Sequence, residues 1–330
     1  ASMAVITQKD KAARILERCR ECGVAMAILG TASHWNTEAI LLAGARYGKK
    51  HGIRGLPVAV SMTYDYRHMP QCRRVTASSD PRIGFLSVME HLRVLCAADD
   101  SPYAGVCVLP HLDHADPVRD EWALTRGLPY LASVMFDAQL YPIEQNIGMT
   151  RDYVRRYGRE VLVEGILEQL KVEGAAAPSE NVSDIAEKAG RYVRETGVDL
   201  VVADLGTEQQ AATLKNCRFR DDLADAITQS VGKSMLVLHG TSSLSPDEFS
   251  SLGRHGIIRV NMWTRIARES GQYAARRLME RMDAVEAGVF DAADTMAYLR
   301  DATQEAARIM EDVYDRLGYG KLAGMNLLGD

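Results

Sequence analysis

The sequence predicts an α/β fold, a (β/α)8 TIM barrel with extra C-terminal helices, on three observations. Eight short apolar runs alternate with helical patterns along the chain. The runs are continuously apolar rather than alternating, as parallel strands buried on both faces are. The chain has 330 residues, which exceeds the roughly 250 residues that one such barrel needs. We therefore expect a single barrel domain over residues 1–330, with residues 265–330 as a C-terminal helical extension.

Each strand of the predicted barrel is one of these apolar runs. The runs span residues 24–30, 56–62, 105–111, 130–137, 160–166, 199–206, 234–239 and 257–264. The helical patterns between them span residues 38–51, 84–98, 142–158, 183–196 and 246–254. The last of these begins after Ser245 with Pro246, a favoured N-cap followed by a residue suited to the first helical position.

Two further segments are longer than a barrel requires. Helical patterns over 265–286 and 292–317 follow the last strand, and we expect the C-terminal one to pack outside the ring of helices or against another subunit. The connection over 169–183 is rich in small residues and contains a Gly and a Pro. This composition predicts a mobile loop over the face on which barrel enzymes carry their active sites.

The composition excludes several classes of partner. The net charge is −5, which gives no basic surface for nucleic acid or for an anionic membrane. No apolar stretch approaches the roughly 20 residues that span a bilayer. Lys9, Asp10 and Lys11 interrupt any signal-peptide core, and six cysteines in a chain of this length fit a reducing compartment. We therefore expect a cytoplasmic protein that acts on a small molecule.

Ligand-type side chains recur where the predicted strands end. They are Asp113, His114, Asp137, Glu164, Glu208, Gln209, His239 and the segment 261–265. In a barrel these ends meet at one mouth, which favours a metal-assisted active site over isolated polar residues. Strict alternation along the third strand would send Asp113 and His114 to opposite faces. Both can face the mouth only if the strand stops there, as Pro110 and the following Ala115, Asp116 and Pro117 indicate.

At this point the chain resembles the class II, metal-dependent fructose-bisphosphate and tagatose-bisphosphate aldolases. The shared segments are HLDHAD at 111–116, SVMFDAQLYPIEQN at 133–146, VEGILE at 163–168, ADLGTEQQ at 203–210, HGTSS at 239–243 and NMWT at 261–264. These six motifs occur in the family's order and extend over most of the chain. They are specific for the superfamily and not for the substrate.

The resemblance implies a role for each matching residue. His114 and His239 match metal ligands for Zn2+ or another divalent metal, and Asp113 matches the acid/base at the hydroxyl of the cleaved bond. The third family histidine falls on Gln209, so Glu208 or Glu164 are alternative ligands. Glu173 is the nearest match to a loop base, or else an ordinary exposed carboxylate. The substrate-binding matches are Asn36, Asp137, Gly206, Gly240, Ser242, Asn261, Trp263, Thr264 and Arg265.

The departures from the family pattern bear on the substrate. The family's HGGSG reads HGTSS here, which removes glycines that let a backbone approach a phosphate. Trp263 adds bulk beside that position, and Arg265 offers a cation elsewhere. We therefore expect an aldolase-like lyase that works through a metal-stabilised enediolate, on a ketose or keto substrate other than standard fructose bisphosphate. The alternatives are a non-catalytic barrel subunit and a metal-dependent lyase or isomerase. We also expect a homo-oligomer.

Overall fold

Eight parallel strands close into a barrel in the computed structural model of the chain. The structure describes residues 4–97, 100–170, 181–207, 218–241 and 244–328. The strands are β1 Met26–Gly30, β2 Leu56–Thr63, β3 Val106–Ala115, β4 Ser133–Phe136, β5 Leu162–Ile166, β6 Leu200–Val202, β7 Leu236–Leu238 and β8 Ile257–Met262. All eight predicted strands are therefore confirmed, and the pairing of β8 with β1 closes the barrel.

Helices surround this barrel. They are α1 Lys9–Glu21, α2 His34–His51, α3 Gln71–Arg74, α4 Pro81–Ala97, α5 Glu121–Thr125, α6 Ile143–Tyr157, α7 Val182–Thr196, α8 Asp221–Val231, α9 Pro246–Ser251, α10 Thr264–Glu280, α11 Met282–Glu286, α12 Phe290–Ala293 and α13 Thr295–Arg316. The predicted start of α9 is confirmed, because Ser245 and Glu248 form a reciprocal capping box. In the part of the chain that the structure describes, no helix has the length and apolar composition to cross a membrane.

The strands are buried on both faces, which explains their continuous apolar sequence. Every residue of the eight strands is buried. Three acidic or basic side chains of the strands are at most 1% exposed: His111 on β3, Glu164 on β5 and Arg259 on β8. The core of the barrel is therefore apolar apart from this ionisable layer, in which Glu164 pairs with Arg259 at 3.5 Å.

The third strand corrects one prediction. β3 does not stop before Asp113 but continues through Ala115. Its pairing with β4 shifts register between Leu112 and Ala115, and His114 takes a φ of 45°. Such a left-handed residue at a bulge turns the backbone, so the strict alternation of side chains is broken within the strand. The bulge, and not a strand end, brings Asp113 and His114 to the same cavity.

The C-terminal helices pack against each other and against the barrel's outer layer. The predicted helix over 265–286 is divided into α10 and α11, and α13 covers most of the predicted helix over 292–317. α13 contacts both α10 and α2. After α13, the Tyr319 hydroxyl donates to the Pro57 carbonyl at 2.7 Å and accepts from the Ala27 N–H at 2.9 Å. These bonds attach the C-terminal segment to the first two strands.

Candidate active site

Two histidines and a carboxylate converge at the mouth of the barrel. Each of Asp113, His114 and His239 offers a ligand atom, and these atoms lie within 4.8 Å of one another. All three residues are buried, and the two imidazole centroids are 5.1 Å apart. Imidazole nitrogens and carboxylate oxygens are the donors that zinc and related divalent cations take in proteins. The residues present therefore fit such an ion.

Two neighbours hold the imidazole of His114 in place. Its Nδ1 lies 2.7 Å from the Asp137 Oδ2, and the ring of Tyr66 stacks on it with centroids 4.5 Å apart and an interplanar angle of 10°. Burial opposes a charged imidazole here, yet Asp113 and Asp137 together raise the pKa of His114 to about 9. The same carboxylates would favour a cation in this position. Because Asp137 engages Nδ1, Nε2 is the nitrogen that a metal would take.

The carboxylate of Asp113 is fixed through one oxygen. The Asn261 Nδ2 donates to its Oδ2 at 2.9 Å, and its Oδ1 has no hydrogen-bond partner among the described residues. Burial favours the protonated acid, but the charges of His114 and His239 outweigh it and lower the pKa of Asp113. Asp113 is therefore an ionised carboxylate with an oxygen available to accept a proton.

A charged layer lies beneath these residues, inside the barrel. The Glu164 Oε1 lies 3.5 Å from the His239 Nε2, and its Oε2 lies 3.5 Å from the Arg259 Nη1. His111 places its Nδ1 2.8 Å from the Ser133 Oγ. Burial acts to raise the pKa of Glu164, but His239, His111 and Arg259 lower it. Glu164 is thus ionised beside His239, and a carboxylate must be ionised to serve as a metal ligand.

Three residues of this site have no role in the prediction from sequence: His111, which lies in the shared HLDHAD motif, Arg259 and Tyr66. His111 lies two residues before Asp113 and Arg259 two before Asn261, and a period of two places such pairs on one face of a strand. This two-residue spacing is visible in the sequence and could have indicated His111 and Arg259. Tyr66 lies in the connection after β2, where no periodicity predicts the direction of a side chain.

A cavity opens above the histidines. The described residues that line it are Thr63, Tyr66, Met69, Gln71, Asp113, His114, His239, Gly240, Thr241, Asn261, Trp263 and Thr264. Trp263 lies over β1, where a Cβ added to Gly30 would come within 3.0 Å of the Trp263 Cβ. Trp263 therefore lines the same cavity as Gly240 and Thr241, which belong to the segment that was expected to hold a phosphate.

Other predicted site residues lie elsewhere or outside the described residues. Asn36 lies in the first turn of α2, where its N–H is bonded to Ser33, and Arg265 pairs with Glu269 at 2.9 Å. Asn36, Arg265 and Gly206 are not among the described residues that line the cavity. Glu173, Glu208, Gln209 and Ser242 lie outside the described residues. The third metal ligand and the loop base therefore stay predictions.

Fold and site together define a (β/α)8-barrel protein with a candidate metal centre at its mouth. The family model described as fructose-bisphosphate aldolase class-II matches residues 6–320. The chain belongs to this family, as its motifs predicted, and the family depends on a divalent metal.

Individual relatives are distant. A fructose-bisphosphate aldolase of Giardia intestinalis is 30% identical over 177 residues, which are 52% of this chain and 53% of that protein. A 6-phospho-5-dehydro-2-deoxy-D-gluconate aldolase of Bacillus licheniformis is 31% identical over 195 residues, which are 58% of this chain and 64% of that protein. The chain thus spans between half and two thirds of the length of these relatives.

Solved structures support the fold over a longer range. The fructose-bisphosphate aldolase of Campylobacter jejuni superposes with a TM-score of 0.74 at 17% identity, over 95% of each chain. The YdjI aldolase of Escherichia coli K12 superposes with a TM-score of 0.65 at 16% identity, over 95% of this chain and 97% of that one. At these identities the likeness establishes the barrel and its C-terminal helices.

Proposed function

We propose that this protein is a divalent-metal-dependent, class II aldolase-like lyase that cleaves or forms a C–C bond next to a ketone. The observation that carries the proposal is the convergence of Asp113, His114 and His239 within 4.8 Å at the barrel mouth. A structural descendant of an aldolase has no physical reason to keep an ionised, partly unbonded carboxylate beside two buried imidazoles. Membership of the family supports the same activity.

In the proposed site, His114 and His239 hold the metal, for which we propose Zn2+. The third ligand comes from Glu208, Gln209 or Glu164. A divalent cation bound there supplies Lewis-acid polarisation of a ketone oxygen. The hydrogen bond from His114 to Asp137 and the contact of His239 with Glu164 orient the two imidazoles for this task.

Asp113 handles the proton in the proposed reaction. In the cleavage direction it accepts the proton of the hydroxyl on the aldehyde-side carbon while the C–C bond breaks. The electron pair of that bond passes to the ketone-side carbon, which becomes an enolate, and the hydroxyl carbon becomes an aldehyde. Asn261 fixes the carboxylate through Oδ2 and leaves Oδ1 for the proton. Protonation of the enolate carbon completes the step, and Glu173 is our candidate for that loop acid/base.

For the substrate we propose a ketose or keto compound other than standard fructose bisphosphate. Relatives of this chain carry the names of two different aldolases, so the family accommodates different substrates. Trp263 occupies the cavity over Gly30, and Thr241 stands where the family has a glycine. The hydroxyl of Thr241 is buried and donates to the Asn261 carbonyl at 3.0 Å, so this part of the rim is filled by a side chain.

The test is to load the purified protein with zinc, manganese or cobalt and to screen ketoses for retro-aldol cleavage and ketones for solvent deuterium exchange. Cleavage together with exchange supports the aldolase. Exchange without cleavage would support the alternative, a metal-dependent lyase or isomerase. Tight metal binding with neither activity would favour a non-catalytic barrel subunit.

Two proposals concern the protein's assembly and location. We expect a homo-oligomer, and the exposed apolar side chains of Met279, Val289 and Phe290, which are 71%, 51% and 79% exposed, support it. Light scattering coupled to size-exclusion chromatography measures the mass directly. The cytoplasmic location stays a prediction, and the cysteines that the structure describes are unpaired, as a reducing compartment would leave them.

A further inference from the structure

A second cavity lies beside the candidate active site. The segments after β2, β3, β4 and β5 form it, and its lining includes Arg67, Arg119, Asp116, Asp137 and Gln139. We call it the Arg67–Arg119 cavity. It opens at the same end of the barrel as the active site, because the segments that follow parallel strands all lie at that end.

The two cavities share a wall. Tyr66 lines both of them, and its ring is stacked on His114. Asp137 lines the Arg67–Arg119 cavity and accepts a hydrogen bond from the His114 Nδ1. A substrate whose reacting carbons lie at Asp113 and His114 therefore has the Arg67–Arg119 cavity next to it, with Tyr66 bordering both.

The carboxylates of this second cavity already accept hydrogen bonds from protein groups. Asp137 interacts with the His114 Nδ1 at 2.7 Å and accepts from the Gln139 Nε2 at 2.7 Å. The Asp116 Oδ1 accepts two backbone N–H groups at 2.9 and 2.8 Å. Their negative charge is thus directed at protein donors. Neither carboxylate needs a cation from solution to satisfy its hydrogen bonds.

The guanidinium groups of Arg67 and Arg119 lack hydrogen bonds of this kind. Arg119 approaches Asp116 and Asp120 only to 3.8 Å, and its buried Nε has no hydrogen-bond partner among the described residues. Arg67 is exposed and makes no hydrogen bond or ion pair with any residue that the structure describes. By contrast, Arg73 in the same connection binds both oxygens of Asp65, at 2.6 and 2.8 Å. The guanidinium of Arg67 and the Nη groups of Arg119 thus make no hydrogen bond with a described residue, and both side chains line this cavity.

We propose that the Arg67–Arg119 cavity binds a terminal oxyanion, a carboxylate or a phosphate, on the aldehyde half of the substrate. This inference rests on the proposed aldolase function, and it assigns the ketone half to the cavity that Asn261 and Trp263 line. Planar guanidinium groups bind carboxylate and phosphate through paired hydrogen bonds. The anion-binding capacity thus lies on the side away from the altered HGTSS segment, so the released aldehyde, and not the ketone, carries the charge.

Binding of unreactive three-carbon probes tests the inference without turnover. Glycerol 3-phosphate, glycerate and glycerol present a phosphate, a carboxylate and a neutral end on the same skeleton. Calorimetric titration of the metal-loaded protein should show one of the two anions binding at least about tenfold more tightly than glycerol. The tighter anion identifies the natural end group. Equal binding of all three probes would overturn the proposal.

Variants assign the effect to the cavity. Arg119→Gln and Arg67→Gln should each weaken binding of the preferred anion about tenfold and leave glycerol unaffected, whereas the matched control Arg73→Gln should change neither. Arg119→Lys keeps a point charge and should lose less than Arg119→Gln, and it replaces that variant if the glutamine form does not fold. Equal losses of anion affinity in Arg73→Gln and Arg119→Gln would mean that the overall charge of the protein, and not this cavity, determines anion binding. That result would overturn the assignment to the cavity.

A kinetic measurement separates this inference from the proposed function. With a ketose that the wild type cleaves, Arg119→Gln should raise KM for the substrate with the anionic end and leave kcat nearly unchanged. The neutral analogue should show no change in KM. If anion binding follows the variants as expected but no aldol chemistry occurs with any metal, the proposed function fails and the anion site stands.

Discussion

The Nδ1 of His114 lies 2.7 Å from the Asp137 Oδ2, and both side chains are buried at the barrel mouth. This contact fixes which ring nitrogen points toward a metal, because the nitrogen bonded to Asp137 is engaged. His114 itself has a φ of 45°, so its backbone direction is set by a conformation that few non-glycine residues adopt. The hydrogen bond and the backbone together determine the geometry of the proposed ligand.

We predict that Asp137→Asn lowers metal affinity about 10–100-fold, since partners of ligating histidines typically contribute that much. Competition with a chromophoric chelator measures the affinity. Asp116→Asn is the control, because Asp116 accepts backbone N–H groups and does not contact His114. An unchanged affinity in Asp137→Asn would show that His114 is not a ligand or is oriented by other groups.

A second prediction concerns Asp113→Asn. The amide keeps the shape and can still accept the hydrogen bond from Asn261, but it cannot take up a proton. We expect kcat to fall at least about a hundredfold, with metal content and melting temperature nearly unchanged. Elemental analysis and single-turnover kinetics of the same preparation check both parts. Near-wild-type turnover would give Asp113 a structural role.

The sequence predicted the barrel because its signals are local. Continuous apolar runs determine buried parallel strands, and polar residues at their ends mark the mouth. The conformation of β3 was predicted wrongly, because its bulge at His114 depends on register with β4, which no local pattern specifies. The pairing of Arg259 with Glu164, 95 positions apart in the chain, likewise exists only once the barrel closes.

The position of Tyr66 was beyond sequence analysis for a different reason. The connection after β2 is shaped by reciprocal bonds between Thr63 and Gln71, in which each residue's side-chain oxygen accepts the other's backbone N–H at 2.9 Å. Such bonds depend on the folded path of the loop. The stacking of Tyr66 on His114 follows from that path, and no periodic pattern in the sequence indicates it.

The third prediction is a pH-dependent stability effect at Asp120. Its side chain is fully buried, and burial raises the pKa of Asp120 to about 6 despite one backbone hydrogen bond. The folded state therefore binds the proton more tightly than the unfolded state. The stabilisation is complete below the unfolded pKa of about 4 and is lost as the pH rises through 6.

Asp120→Asn removes that titration. The free energy of unfolding of the variant minus that of the wild type should therefore increase by roughly 1 kcal/mol between about pH 5 and about pH 8. Urea unfolding at the two pH values measures the difference. Asp152→Asn, an exposed carboxylate on α6, is the control and should show no such increase. A decrease toward high pH at Asp120 would contradict the sign of the shift.

The last prediction concerns the substrate and Trp263. The indole lies over Gly30, with its Cε3 3.1 Å from the position of an added Cβ, and it lines the same cavity as Gly240 and Thr241 of the segment that the resemblance assigns to phosphate binding. Trp263→Ala should open this side and raise kcat/KM for fructose 1,6-bisphosphate at least about tenfold relative to a non-phosphorylated ketose, and Trp263→Phe should give an intermediate ratio. The ratio is measured within each variant, so that a general loss of activity cancels.

A phosphate also needs closely approaching backbone N–H groups, and Thr241 keeps its side chain in the rim. Trp263→Ala should therefore not come to prefer the bisphosphate over all other substrates. Efficient cleavage of the bisphosphate by the wild type, with no change in the ratio on substitution, would mean that the indole does not obstruct the phosphate and that substrate choice is made elsewhere in the site.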